Sequence, residues 1–321
     1  MLAGALCVLS QQAPAPIFRG STEVVVVDVQ ITDRSGAPLE GLKADDFALK
    51  VDGKARAITS ANFWRLSERA AAMKAAAAFS TIGSANPIEA ESFVLFVVDP
   101  DNMRPEPSRL LFDQAADFMA KLDPAHSVGL LVAPEHRLRI PFGVTRQPVA
   151  AALKKQIGLM QGAPGRAQIY GTVDSIQTGI DALRDVDGRR TLVYFGDFFP
   201  EDRAMIDPLS LQANLADVAI YVVASDSLNI PSVSERRSQP ATPPGGEYGG
   251  LRFLAESTGG KLFRRAVTGA IVLPQLARAL SAHYVLTFAV ESPDKDGKSH
   301  KIDVKVNQKD VDVRFRKEFA R

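Results

Sequence analysis

Phe93-Val-Leu-Phe-Val-Val-Asp99-Pro-Asp101-Asn102-Met103 is the stretch on which the fold depends. An unbroken apolar run closed by Asp and Pro reads as a strand buried on both faces, since such a strand has no solvent side on which polar residues would alternate. That is a strand in the middle of a parallel sheet. Its carboxyl end carries Asp99 and Asp101. In open α/β sheets, ligands and metals gather in the crevice outside the carboxyl ends of the strands, which makes these two carboxylates candidate functional groups.

The pattern downstream agrees. Pro105 and Pro107 introduce a helix in which Leu110, Leu111, Ala115, Phe118, Met119 and Leu122 recur at helical spacing. Strands follow at 128–132 and 138–142, helices over 147–159 and 172–183, then a strand over 191–195 that ends in Gly196-Asp197. A helix over 208–215, a strand over 218–224, a Gly-terminated helix from Leu251, a short strand over 261–263 and a helix over 271–281 complete the series. Strands alternating with helices predict an α/β fold over residues 92–282: a doubly wound, mainly parallel, Rossmann-like sheet with helices on both faces.

Both ends of the chain read differently. Val25, Val27, Val29 and Ile31 alternate with polar residues, and short strands near 48–51 and 55–58 are punctuated by Asp33-Arg-Ser-Gly36 and Asp52-Gly53. Tyr284, Leu286, Phe288 and Val290 alternate in turn, as do Ile302, Val304 and Val306, and then Val311, Val313 and Phe315. Each β segment is too small to stand alone, so residues 20–64 and 283–321 are expected to pair into one small β-sandwich. The Ala-rich residues 65–91 read as a linker, and the Pro-rich residues 231–246 as an exposed loop without enough apolar surface to offset its ordering entropy.

With 321 residues, 46% hydrophobic and 23% charged, the chain is globular in composition. A net charge of +1 gives no electrostatic case for nucleic acid, which asks for a clustered basic excess. Met1–Leu9 is a short apolar run, and Ser10–Pro16 is polar and Pro-rich. Together residues 1–16 read as a truncated secretory signal peptide lacking its basic start, or as a disordered terminus. The first alternative gives an exported protein, periplasmic or extracellular, that loses its single cysteine, Cys7, on cleavage. No other apolar run approaches the ~20 residues that span a bilayer.

The segment Asp33-Arg-Ser-Gly36-Ala-Pro38-Leu-Glu-Gly41-Leu42, followed by Asp46-Phe47 and Asp52-Gly53-Lys54, resembles the bacterial VWFA-related domain proteins, in which a β segment precedes a von Willebrand factor type A (VWA) domain. Further similarity lies in 138–145, in Leu254-Ala-Glu-Ser-Thr-Gly-Gly260-Lys-Leu-Phe263, and from Tyr284 through Gly297 to Val306. The resemblance implies a non-enzymatic module that binds a protein partner, and a metal-ion-dependent adhesion site built from a strand-end Asp-x-Ser-x-Ser, a loop Thr and a later Asp. Carried onto this chain, the metal residues are Asp99, Asp101, Thr172 and Asp197, with Tyr170 competing for the place of Thr172. Asn102 and Met103 then fall at the partner-binding rim. Mg²⁺ or Ca²⁺ is the implied ion, since hard cations take oxygen ligands. Asp101 and Met103 replace both serines, and a thioether does not suit such an ion, so the site is expected to be degenerate. Solvated strand-end carboxylates and helix caps are the plainer reading.

A second resemblance competes. Asp99-x-Asp101 and Gly196-Asp197 with Asp202 look like motifs of haloacid dehalogenase-type phosphatases, with Asp99 as nucleophile, Asp101 as general acid and the later acidic pair on Mg²⁺. Against it, 132–134 offers neither Ser nor Thr at the end of the next strand, and the terminal β segments have no place. His126, His136, His283 and His300 are scattered without metal-ligand spacing and read as structural.

Overall fold

A computed structural model describes residues 23–66, 92–134, 138–143, 145–161, 165–225, 248–264 and 272–320. The N-terminal signal-like run, nearly all of the Ala-rich linker and the Pro-rich loop of 231–246 lie outside the described residues, as does His136. In chain order the elements are β1 (Val24–Thr32), β2 (Phe47–Val51), β3 (Lys54–Arg56), β4 (Ile58–Arg65), β5 (Ser92–Val98), α1 (Pro105–Met119), β6 (His126–Val132), β7 (Leu138–Gly143), α2 (Gln147–Leu153), α3 (Arg166–Arg184), β8 (Arg189–Phe195), α4 (Arg203–Leu215), β9 (Val218–Ala224), α5 (Gly249–Ser257), β10 (Leu262–Arg264), α6 (Val272–Ser281), β11 (Ala282–Ala289), β12 (Ser299–Val306), β13 (Asp312–Phe315) and β14 (Glu318–Ala320).

The apolar run is β5, inside a six-stranded sheet of order β10-β9-β8-β5-β6-β7. It pairs in parallel with β6 and β8, β9 and β10 continue the parallel series, and the edge strand β7 runs antiparallel to β6. Val94, Phe96 and Val98 pack against residues of α1, α2 and α6. Leu95 and Val97 point the other way, toward α3, α4 and α5. At ~2 kcal/mol for each fully buried apolar side chain these five contribute on the order of 10 kcal/mol, comparable to the net stability of a whole domain. The central strand of the doubly wound sheet is therefore fixed by its own composition.

Several helix boundaries differ from the expected ones, each for a local reason. α2 stops at Leu153 because the following residues are tied to the turn after β5: Gly158 N donates to Ser108 Oγ (2.7 Å), Leu159 N to Pro100 O (2.8 Å) and Met160 N to Met103 O (3.0 Å). A Cβ at Gly158 would stand 2.2 Å from the Met103 carbonyl oxygen, so this approach requires glycine. α3 starts earlier, at Arg166, where Gly165 N donates to Gln168 Oε1 (2.5 Å). α4 also starts before Pro208, with Asp202 as its N-cap accepting from Ala204 N (2.9 Å).

The chain ends meet in a sandwich of two four-stranded sheets, β13-β1-β11-β4 and β14-β12-β2-β3. Each sheet draws strands from both ends. β1 lies antiparallel to β11, with Val25 opposite Phe288, Val27 opposite Leu286 and Val29 opposite Tyr284, and these side chains meet Leu49, Ile302 and Val304 in the sandwich core. β14, too short to be read from alternation, is held by Phe319 packing edge-on to Phe288 at 5.7 Å.

The sandwich docks at the amino end of the parallel strands. Asp28 faces Arg189 (3.7 Å), and Arg316 bridges to Thr258 through the backbone. The Arg316 guanidinium donates to Asn214 O (3.3 Å) and Val26 O (2.5 Å) and pairs with Asp217 (3.2 Å). The carboxyl ends of the same strands lie about 20 Å further along, at ~3.3 Å per residue, and remain clear of the sandwich. No helix among the described residues is long and apolar enough to cross a membrane.

Candidate functional site

β5 has β6 on one side and β8 on the other, so the winding of the sheet reverses at β5 and a crevice opens at the strand ends. Asp99 leaves β5 there, its amide donating to Phe195 O (2.9 Å). Pro100–Asn102 then forms one 3-10 turn, in which Asn102 N donates to Asp99 O (3.2 Å) and Met103 N to Pro100 O (3.2 Å). Proline favours this turn because its ring already sets the required φ. The turn brings the Asn102 side chain back onto Asp99.

Asp99 is 1% exposed. Its Oδ2 accepts from Asn102 Nδ2 (2.7 Å), from Tyr194 Oη (3.0 Å) and from Thr172 Oγ1. Asn102 Nδ2 also donates to Thr172 Oγ1, which lies 3.1 Å from Gln168 O. Burial pushes the Asp99 carboxyl above the usual carboxylate range; the hydrogen bonds from Thr172, Asn102 and Tyr194 pull it back, and the nearby Asp101 charge adds a smaller upward push. Burial and the adjacent Asp99 hold the Tyr194 phenol well above its ordinary value, so it serves as a neutral donor.

Asp197 follows β8 after Gly196. Its amide donates to Asn102 O (3.2 Å), while its carboxylate accepts from Ser225 N (2.6 Å) and Ser225 Oγ. Of the expected site residues, Asp99, Asn102 and Thr172 thus form one cluster, and Asp197 joins it through the Asn102 backbone. Asp101 lies half-buried on the turn. Thr172, expected on a loop, stands inside α3; it reaches Asp99, whereas Tyr170 is 58% exposed.

The partner-binding expectation for Asn102 and Met103 is corrected. Both are 0% exposed: Met103 is packed among Leu111, Phe112 and Val98 in the core, and the Asn102 amide is engaged by Asp99 and Thr172. The 3-10 turn swings both side chains inward. Among the described residues the large apolar side chains that do reach solvent near this end are Leu110 on α1, Ile157 and Leu159 on the segment tied to the turn, and Tyr170.

The donor set also bears on a metal. A divalent cation between Asp99 and Thr172 needs oxygen lone pairs directed at it. Here the Asp99 Oδ2 position is surrounded by donor hydrogens from Asn102 and Tyr194, and both Asp197 oxygens are used by Ser225. Among the described residues no group of three His, Cys, Asp or Glu gathers to hold an ion. In this arrangement Asp99 Oδ2 and both Asp197 oxygens are directed at protein donors and not at a common point where Mg²⁺ or Ca²⁺ would sit.

Tyr194 and Ser225 are the members that sequence reasoning missed. A phenol inside an otherwise apolar buried strand needs a hydrogen-bond partner, and Gly196 was a further signal: a Cβ there would lie 2.3 Å from Tyr194 Oη. No described histidine joins the cluster. His126 is buried against Ser92 Oγ (2.8 Å), His283 faces Asp28 (3.5 Å), and His300 lies between Asp52 (2.8 Å) and Asp296 (3.1 Å).

No protein-family model matches the sequence, and no curated protein matches it. Solved structures similar to the chain include the SpRpn10 VWA domain, at 13% identity and a TM-score of 0.38 over 58% of this chain and 93% of that one. An aerotolerance-related membrane protein from Bacteroides fragilis is similar at 12% identity and a TM-score of 0.40, over 59% of this chain and 98% of that one. Proximal thread matrix protein 1 from the mussel byssus is similar at 10% identity and a TM-score of 0.42; the match covers 63% of this chain and about half, 49%, of that one.

Proposed function

We propose that the chain is a VWA-like protein-binding module that works outside the cytoplasm, and that it is not an enzyme. The observation that carries this reading is the closure of Asp99. A nucleophile or general acid has to reach its substrate, and Asp99 is sealed from solvent with three donors of its own chain on one oxygen. Asp202, the other acidic residue that a phosphatase would need, caps α4 instead. The order of sequence motifs from Asp33 to Val306 supports the VWA-like reading, and the composition of residues 1–16 supports export. The contact face is the strand-end rim, where Ile157, Leu159 and Tyr170 offer the aliphatic and aromatic surface that dominates protein interfaces.

The test is a phosphomonoester hydrolysis assay with Mg²⁺ on the full chain and on Asp99→Ala. The expected result is no turnover by either protein. Turnover by the wild type that Asp99→Ala abolishes overturns the binding-module reading.

A further inference from the structure

We infer that Asn102 is a built-in substitute for a cation: its side-chain amide takes the place between Asp99 and Thr172 that a metal would fill, so the strand-end face is organised without a divalent ion. The inference deepens the binding-module reading and rests on it for the identity of the face. It differs from simple loss of ligands, because a positively polarised group stands where the charge of the ion would be.

The geometry is specific. Asn102 Nδ2 lies 2.7 Å from Asp99 Oδ2 and also donates to Thr172 Oγ1, so one NH₂ group joins the strand-end carboxylate to the helix hydroxyl. Both hydrogens of a primary amide are thereby used. The orientation follows from the acceptors, since the opposite amide orientation would set Asn102 Oδ1 against the Asp99 carboxylate. Asn102 Oδ1 is left buried without a hydrogen-bond partner. Such an unmet acceptor is unfavourable by itself, which indicates that the donor end justifies an amide at this buried position.

The backbone of Asn102 reinforces the role. Its N–H donates to Asp99 O (3.2 Å) and its carbonyl accepts from Asp197 N (3.2 Å), so one residue joins the ends of β5 and β8 through main chain and side chain together. Tyr194 Oη, 3.0 Å from the same Asp99 oxygen, adds a third donor there. Recognition at this face then has no vacant metal position for a partner carboxylate to complete, and falls to the surrounding rim.

The experiment is thermal unfolding and titration calorimetry of the full chain in EDTA and in excess MgCl₂, CaCl₂ or MnCl₂. The wild type is expected to give no ion-dependent shift and no binding heat. Asn102→Asp, which replaces the donor by a second carboxylate beside Asp99, is expected to unfold at lower temperature in EDTA and to be raised by about 5 °C or more at an ion concentration about a hundred times the dissociation constant. Adding Asp99→Asn to that variant should remove the rise. Asn102→Ser, which opens the same space with less crowding, serves as the second variant should Asn102→Asp fail to fold. A saturable wild-type response that Asp99→Asn abolishes overturns the inference, as does a folded Asn102 variant that responds to none of the ions. Failure here is an ion effect without turnover, whereas failure of the binding-module reading is turnover, so the two are distinguishable.

Discussion

The parallel sheet carries carboxylates near both of its ends, half-buried at one and buried at the other, and satisfies them in opposite ways. At the amino end, against the sandwich, Asp28 meets Arg189 and Asp217 meets Arg316, within a cavity of about 30 Å³ also lined by Arg190 and Arg314. At the carboxyl end Asp99 meets an amide, a hydroxyl and a phenol. Full charges bind strongly but carry a large desolvation cost, which suits a junction where two folded units must hold a fixed register. Neutral donors cost less to bury, and here burial outweighs them, leaving the Asp99 carboxyl above its usual range. The sheet thus uses ion pairs where it is fastened and neutral hydrogen bonds where it is closed.

The sharpest way to break this contrast is Asp99→Leu. It leaves the Asn102 amide and the Tyr194 hydroxyl buried without their acceptor, and at ~1–3 kcal/mol for each unmet polar group the expected loss is about 4 kcal/mol in a urea unfolding experiment. Asp99→Asn, which keeps an acceptor and removes the charge, should cost about 1 kcal/mol. A large loss in Asp99→Asn would show that the carboxyl end depends on charge after all. Next is Arg316→Ala at the amino end, which removes the link from β13 and β14 to Val26, Asn214 and Asp217 and is expected to cost about 3 kcal/mol, mainly through the two backbone carbonyls that lose a charged donor. High salt should shrink the ionic part of this loss, since the Asp217 side chain is 44% exposed, and leave the part due to the Val26 and Asn214 hydrogen bonds.

A pH dependence at the amino end comes after Arg316→Ala in size. His126, the first residue of β6, is held neutral: burial, and then the charges of Arg189 and Arg146, push it from its usual 6.5 down to about 3. Above pH 6.5 both folded and unfolded states carry the neutral ring and nothing is lost. As pH falls below that value the unfolded chain takes up a proton that the folded chain refuses, and stability drops until the folded ring titrates near 3. Between about pH 7 and about pH 5 the loss should be about 2 kcal/mol, seen as a falling urea midpoint that is flatter in His126→Gln. His300, set between Asp52 and Asp296, has the opposite sign: those partners raise it, so its contribution is present below pH 6.5 and fades as pH rises through the folded value.

The frame of this molecule was legible because it rests on short-range pattern. The unbroken apolar run of β5 admits only a buried central strand, and the alternating valines of β1 only a half-buried one. The site was legible in its address and not in its contacts. Asp99 follows from its strand end, and Thr172 and Asp197 from the resemblance to VWA domains, yet the partners that decide their chemistry arrive from far along the chain: Tyr194 from the end of β8 and Ser225 from the end of β9. Asn102 and Met103 were assigned to the rim because they follow Asp99. One 3-10 turn was enough to reverse that, and a turn of this kind is not announced by periodicity.

The sandwich has a further consequence, in the order of synthesis. β1 emerges early, yet its partners β11 and β13 are made only after the whole α/β unit. Until then Val25, Val27, Val29 and Ile31 have no opposite strand, and the open edge of β1 is a template for association with other chains. Closing a loop of this length costs chain entropy, so β1 is expected to pair with β11 after the middle of the chain has become compact. A nascent-chain chaperone would find its target in β1, although the finished protein shows almost none of that surface.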